Sequence, residues 1–258
     1  MQQQTGQSRQ QIGEVLSSHR KWLKDERTGR CADLLKANMS SIDLSKWDLR
    51  KARFVGSDCR NIVLTKANLS GVDFLGADLS NAELSHCDLT GANMRGVRLT
   101  GAVLNHAILD DADFRGGTVL TGSGETVGRE AADLSECSFD FASLARAQMT
   151  GSNLTGCSLI GAKLKGTKLA GANLDNSNFS GADLSGANLA GARMFNTNLK
   201  NCDLSSANFK GALADNTDME GANLSDAVFE GVDLSKVMGG KSDLKIEVRN
   251  LPDHLRRV

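Results

Sequence analysis

The sequence predicts an all-β solenoid, a square coil whose backbone turns a corner every five residues. Three observations predict it. Taken in steps of five, positions 34 to 244 number 43, and 37 of them hold Leu, Phe or Met. Two residues before each stands a small side chain, most often Ala, as at Ala32, Ala77 and Ala172. Between the two lies Asp or Asn in 24 of the 43 units, as in Ala77-Asp78-Leu79. A period of five is neither the 3.6 of a helix nor the 2 of a strand. It marks a repeat architecture.

One small and one large inward residue per five make the large one fill the centre while the small one lets the chain pass close to the axis. Asp or Asn between them suits a corner, because its short side chain can bond nearby backbone amides. Glycine recurs three residues before the large residue, as at Gly71 and Gly171, where a turn can require positive φ. Four corners close a coil of about 20 residues, and coils stack at about 4.8 Å, giving about ten to eleven coils. The aromatic spacing agrees. Phe54, Phe74, Met94 and Phe114 are twenty apart and stack on one inner face; Phe139 and Phe179 share a second, and Phe209 and Phe229 lie one coil apart. These eight are the expected large core residues. Cys87, Cys137, Cys157 and Cys202 take the small inward position and Cys59 a large one, so they read as buried free thiols.

With units such as Ala182-Asp183-Leu184-Ser185-Gly186, the chain resembles the pentapeptide-repeat family, whose consensus is A-[DN]-L-x-x. The resemblance covers roughly residues 32–244 and implies a right-handed quadrilateral β-helix. Some family members are acidic dimeric rods that imitate duplex DNA, bind type II topoisomerases such as gyrase and confer quinolone resistance. The resemblance therefore implies a topoisomerase as one partner.

The elements follow in order. Residues 1–11 are a Gln-rich polar tail, expected to be disordered, with no apolar core for a signal or anchor. Residues 12–31 form a capping helix and linker: Ile12, Val15, Leu16, His19, Trp22 and Leu23 recur at helical spacing. A β-helix needs caps over its open ends; a partner-binding helix is the alternative. Ile42 and Trp47 are oversized for the small inward position, as a first coil widened under Trp22 would require. The repeat body runs over 32–244. Its interruption at 116–131 reads either as three degenerate units or as a projecting loop, with Gly122, Gly124, Glu125 and Arg129 as candidate contacts. Past Gly239-Gly240, alternating Leu244, Ile246 and Val248 suggest a last strand, and 245–258 a cap or a dimer contact.

Chemistry is sparse. Net charge is −1, with slightly basic ends on a weakly acidic body. Lys163, Lys165 and Lys168, with Arg146 nearby, break any acidic stripe. No catalytic motif is present, and Gly122-x-Gly124 has neither dinucleotide spacing nor context. His86 and His106 share one outward position but lack further ligands for a metal. The expectation is a non-catalytic interaction rod without cofactor. A protein is the expected partner and a topoisomerase the alternative. Direct nucleic-acid binding is not expected, for want of Tyr and of a basic stripe. No apolar stretch reaches membrane-spanning length. The expected state is cytoplasmic, monomeric or dimeric through an end cap.

Overall fold

A computed structural model describes residues 9–120, 126–129 and 131–238. One helix, α1 (Arg9–Trp22), precedes a parallel β-helix whose coils repeat every twenty residues, as in the bridges Asp33 to Arg53 to Asp73. Helix α1 begins inside the segment expected to be a disordered tail. The proposed final strand at Leu244–Val248 and the segment 245–258 lie outside the described residues.

Backbone hydrogen bonding explains the five-residue rule. In the unit around Leu79, the Asp78 amide donates to Ser57 in the coil before, while those of Leu79 and Asn81 donate to Arg98 and Thr100 in the coil after. The Ala77 amide closes the corner onto Phe74. Four of the five amides are thus paired within the backbone. The fifth, on Ser80, is taken by the side chain of Asp78 at 3.0 Å. The same two-residue bond recurs at Asp43, Asp88, Asp183 and Asp203. Asp or Asn stands before the central residue because each corner leaves one amide over, and an unpaired amide is costly to shield from water.

Some units lack that residue, and in four of them the cap comes from the preceding coil. Asn105 accepts from the Asp140 amide, Asp110 from Ala145, Asp140 from Ile160 and Asp175 from Phe195. The residues in the usual capping place, Ser138, Ser143, Ser158 and Arg193, donate to the same side chains and hold them.

The third residue of each regular corner, at every fifth position over 36–111 and 136–231, carries positive φ, from Lys36 at 52° to Gly231 at 77°, and the bond from the fourth amide to the first carbonyl makes a type II turn. Glycine, Asn and polar residues fill it, because a β-carbon there is strained.

Inside, the central residues are fully shielded, Phe54, Phe74, Phe114, Phe139, Phe179 and Phe209 at 0 % exposure, with Met94 at 0 % and Phe229 at 2 %. Phe54 and Phe74 stack at 4.9 Å, as do Phe209 and Phe229. Small inward hydroxyls and thiols are satisfied by carbonyls of the coil below: Cys157 donates to Leu134, Thr167 to Leu144 and Thr217 to Met194. All six cysteines are free. Burial pushes Cys59, Cys87, Cys157 and Cys202 up to about 12 and raises Cys137 well above its usual range.

Helix α1 lies across the first coil. Ile12, Leu16 and His19 are buried, while Ile42 and Trp47 pack against the core from the coil side. The Arg20 guanidinium covers the Trp47 ring at 4.5 Å, and Trp22 stacks on His19 at 5.6 Å, with Leu23 and Trp22 lining a cleft against Arg50 and Lys51. Gly29 passes so close to the helix end that a β-carbon would sit 2.2 Å from the Ser18 carbonyl oxygen. The Ala32 amide, first of the solenoid, donates to Nδ1 of His19 at 3.1 Å. That bond makes Nδ1 the unprotonated nitrogen and Nε2 the N–H, buried without a partner.

Two predictions follow from these bonds. Burial lowers the His19 pKa, with Asp48 opposing and Arg50 reinforcing it, so His19 contributes stability above its unfolded value of about 6.5 that is lost as pH falls. Hydrogen bonds from Ser205 hold Asp203 below the carboxylate range; burial opposes the bonds from Ser135, Thr100 and Asn153 to Asp133 but is outweighed. Their stability is present above about pH 4 and is lost below it, as pH drops through the lowered folded values. Melting temperature should therefore fall in two acid steps, and His19→Gln should remove the first; one step in both proteins would contradict this. Separately, a thiol reagent should modify one cysteine, half-buried Cys31, in the native protein and six after denaturation. Rapid native modification of a second would show that the core opens.

Candidate functional site

In its described residues the 116–131 interruption is an antiparallel strand pair rather than degenerate coil. Strands β1 (Gly117–Leu120) and β2 (Thr126–Arg129) pair antiparallel, with Gly117 opposite Arg129 and Leu120 opposite Thr126. The solenoid closes beneath them: Arg98, before the insertion, bridges Asp133, after it, and the Leu99 amide donates to the Asp133 carbonyl at 2.7 Å. Partners that are twenty apart elsewhere are thirty-five apart here. The inserted fifteen residues equal three units, which is why they leave the five-residue phase intact. They also move later residues by three faces, so Met149 follows Phe114 on one inner face, as the bridge from Asp113 to Gln148 records. Phe209 and Phe229 therefore lie on the face of Phe54 and Phe74.

The hairpin base is fixed to the rod. The Arg95 guanidinium donates twice to the Gly116 carbonyl, at 3.1 and 3.2 Å. A β-carbon on Gly117 would meet Arg95 at 2.7 Å and Leu75 at 2.9 Å, so glycine permits the close approach. Of the candidate contacts, Arg129 ends β2 with its backbone paired to Gly117. Gly122, Gly124 and Glu125 lie outside the described residues.

Elsewhere the described surface offers little for chemistry. It contains no group of three His, Cys, Asp or Glu able to hold a metal. His86 and His106 are brought together, their rings parallel at 4.9 Å, and Phe141 continues the stack at 5.3 Å from His106. Many carboxylates are engaged. Arg50, Arg60 and Arg115 each fork onto the aspartate two residues before, Asp48, Asp58 and Asp113. Arg146 pairs with Asp111. Lys163, Lys165 and Lys168 are exposed. No described helix is long and apolar enough to cross a membrane.

The comparisons agree with this geometry. No curated protein matches the sequence. Among solved structures, the chain is similar to QnrB1, a plasmid-mediated fluoroquinolone resistance protein, at 20% identity over 78% of this chain and 91% of that one, with a TM-score of 0.51. It is also similar to HetL, a pentapeptide repeat protein involved in heterocyst differentiation regulation from the cyanobacterium Nostoc, at 25% identity over 89% of this chain and 97% of that one, with a TM-score of 0.28. Likeness to QnrB1 at this identity shows the fold. The family description, pentapeptide repeats, matches in eight copies over 43–81, 77–116, 132–169, 162–201 and 202–237. Those segments stop at the hairpin and resume after it. With most of its length matched and every regular corner obeying the five-residue rule, the chain belongs to the pentapeptide-repeat family.

Proposed function

We propose that the protein is a non-catalytic rod that binds a partner protein, with the 117–129 hairpin as its main contact. The hairpin carries this reading. The ladder closes beneath it, so the rod does not need it, yet Arg95 and the fit of Gly117 against Leu75 hold it in place. A projecting element on a rigid scaffold is a common place for recognition. The engaged carboxylates and the packed interior leave no desolvated pocket for a substrate in this reading. Free thiols support a reducing compartment such as the cytoplasm.

A type II topoisomerase is the second reading, suggested by the family resemblance and by the fold shared with QnrB1, a fluoroquinolone resistance protein. DNA imitation needs a dense negative field. Here arginines fork onto the aspartates, and three exposed lysines break the acidic surface. The protein-partner reading is therefore preferred.

Excision of residues 117–131 tests the proposal cleanly. It joins Gly116 to Ala132, leaving Arg115-Gly116 as an ordinary corner with glycine at the positive-φ place. The shortened rod should melt within a few degrees of the parent and lose capture of its partner by crosslinking in cell extract. Unchanged capture would remove the hairpin from the interface. Inhibition of gyrase supercoiling, or its protection from a quinolone, would favour the topoisomerase instead.

A further inference from the structure

Both tryptophans of the chain, Trp22 and Trp47, sit at one contact, where α1 covers the first coil. At its centre is His19, 1 % exposed. The two ring nitrogens are committed in opposite ways. Nδ1 accepts from the Ala32 amide at 3.1 Å, and Nε2 carries its hydrogen without a partner. A proton added to the ring has to go on Nδ1, where it points at the Ala32 N–H. Two donors then face each other in a site shielded from water, and the new cation has an acceptor on neither nitrogen. The docked helix holds neutral histidine and has no place for imidazolium.

The neighbours do not rescue the charged form. Arg20 follows on α1 and lies over Trp47; Glu26 and the Cys31 thiol stand in the linker, and Asp48, Arg50 and Lys51 in the first coil. Burial lowers the His19 pKa most. Asp48 opposes it, but Arg50 forks onto that carboxylate at 2.8 Å and acts the other way. The Cys31 thiol, raised by burial, donates to the Lys51 carbonyl and is uncharged at neutral pH. Beneath α1 the first coil has no coil to pair with. Among the described residues, the amides of Asp33 and Asp48 meet no backbone carbonyl, whereas Arg53 and Asn68, one coil on, donate to Ala32 and Trp47. The cap covers this open edge. The repeat body answers to a lower range: Asp133 and Asp203 are held below the usual carboxylate values, so its corners keep their caps down to about pH 4.

We propose that proton uptake by His19 releases α1 from the first coil while the repeat body stays folded, so that the N-terminal end of the rod opens in mild acid and closes again at neutral pH. This regulation goes beyond the partner-binding reading and stands whether or not the hairpin is the contact.

The sign and slope follow from linkage. The released ring titrates near 6.5 and the docked ring lower, so the opening constant rises about tenfold for each pH unit lost between the two values. Hydrogen exchange of the full chain, followed by mass spectrometry between about pH 7.5 and 4.5 and corrected for intrinsic rates, reads that constant directly. Segment 9–32 should lose protection with this slope while 132–169 keeps its own. Tryptophan emission should move to the red over the same range. His19→Asn places a non-titrating oxygen where Nδ1 stands, and its exchange profile should be flat. The proposal is overturned if the parent profile is flat, if helix and body lose protection together, if emission does not move, or if His19→Asn shows the same slope. Should His19→Asn leave α1 undocked at every pH, the parent ring decides by NMR. Its titration must coincide with the loss of α1 protection, and a ring that protonates beneath a protected helix overturns the proposal.

Discussion

One leftover amide per corner governs this structure. Stacking a chain in square coils satisfies four of every five backbone amides with backbone carbonyls, and the geometry of the corner strands the fifth. At most corners a side-chain oxygen reaches it, and the reach from the residue before the centre suits Asp and Asn. The repeat is thus as much a hydrogen-bonding rule as a packing rule. The apolar residues set where the chain turns inward; the acids and amides let it turn. The acidic residues of the body therefore serve mainly as corner caps, and three carry an arginine folded onto them.

The rule also shapes how the fold admits an insertion. Three units' worth of residues leave and return at the same corner, and the bridges resume with the register shifted but the inward pattern intact. Such an insertion is inexpensive because the closing bonds, from Leu99 to Asp133 and from Asp133 to Val97, have ordinary ladder lengths of 2.7 and 2.9 Å. At the other extreme, the N-terminal end needs a dedicated cap. His19 does there what a carbonyl does elsewhere: it receives the amide of Ala32, the first of the solenoid.

Much of this was legible in the residues. The five-residue phase located the body, the twenty-residue coil and the inward phenylalanines, because identical units make an identical environment. The insertion was legible only as one of two alternatives, because three whole units leave no break in phase; Val119, Gly124 and Arg129 fall in step by length alone. Nor was the relayed cap, although it leaves a trace: Asp140 and Asp175 stand eighteen residues before Ser158 and Arg193, where the usual Asp or Asn is missing. The spacing places Trp47 under Trp22, whereas Arg20 covers its ring, since helical spacing defines a face but not which side chain crosses to the coil.

The relayed cap allows the hydrogen-bond account to be separated from packing. Asp140 is outside the core, and Asn105 does the same work one coil earlier. Urea unfolding of Asp140→Asn and Asp140→Ala compares a retained acceptor with a lost one. The account predicts that Asn is close to neutral and Ala costs about 1–2 kcal/mol, as expected for leaving an amide without its partner. Equal stability of the two variants would contradict it, and would leave the corner aspartates without a structural reason.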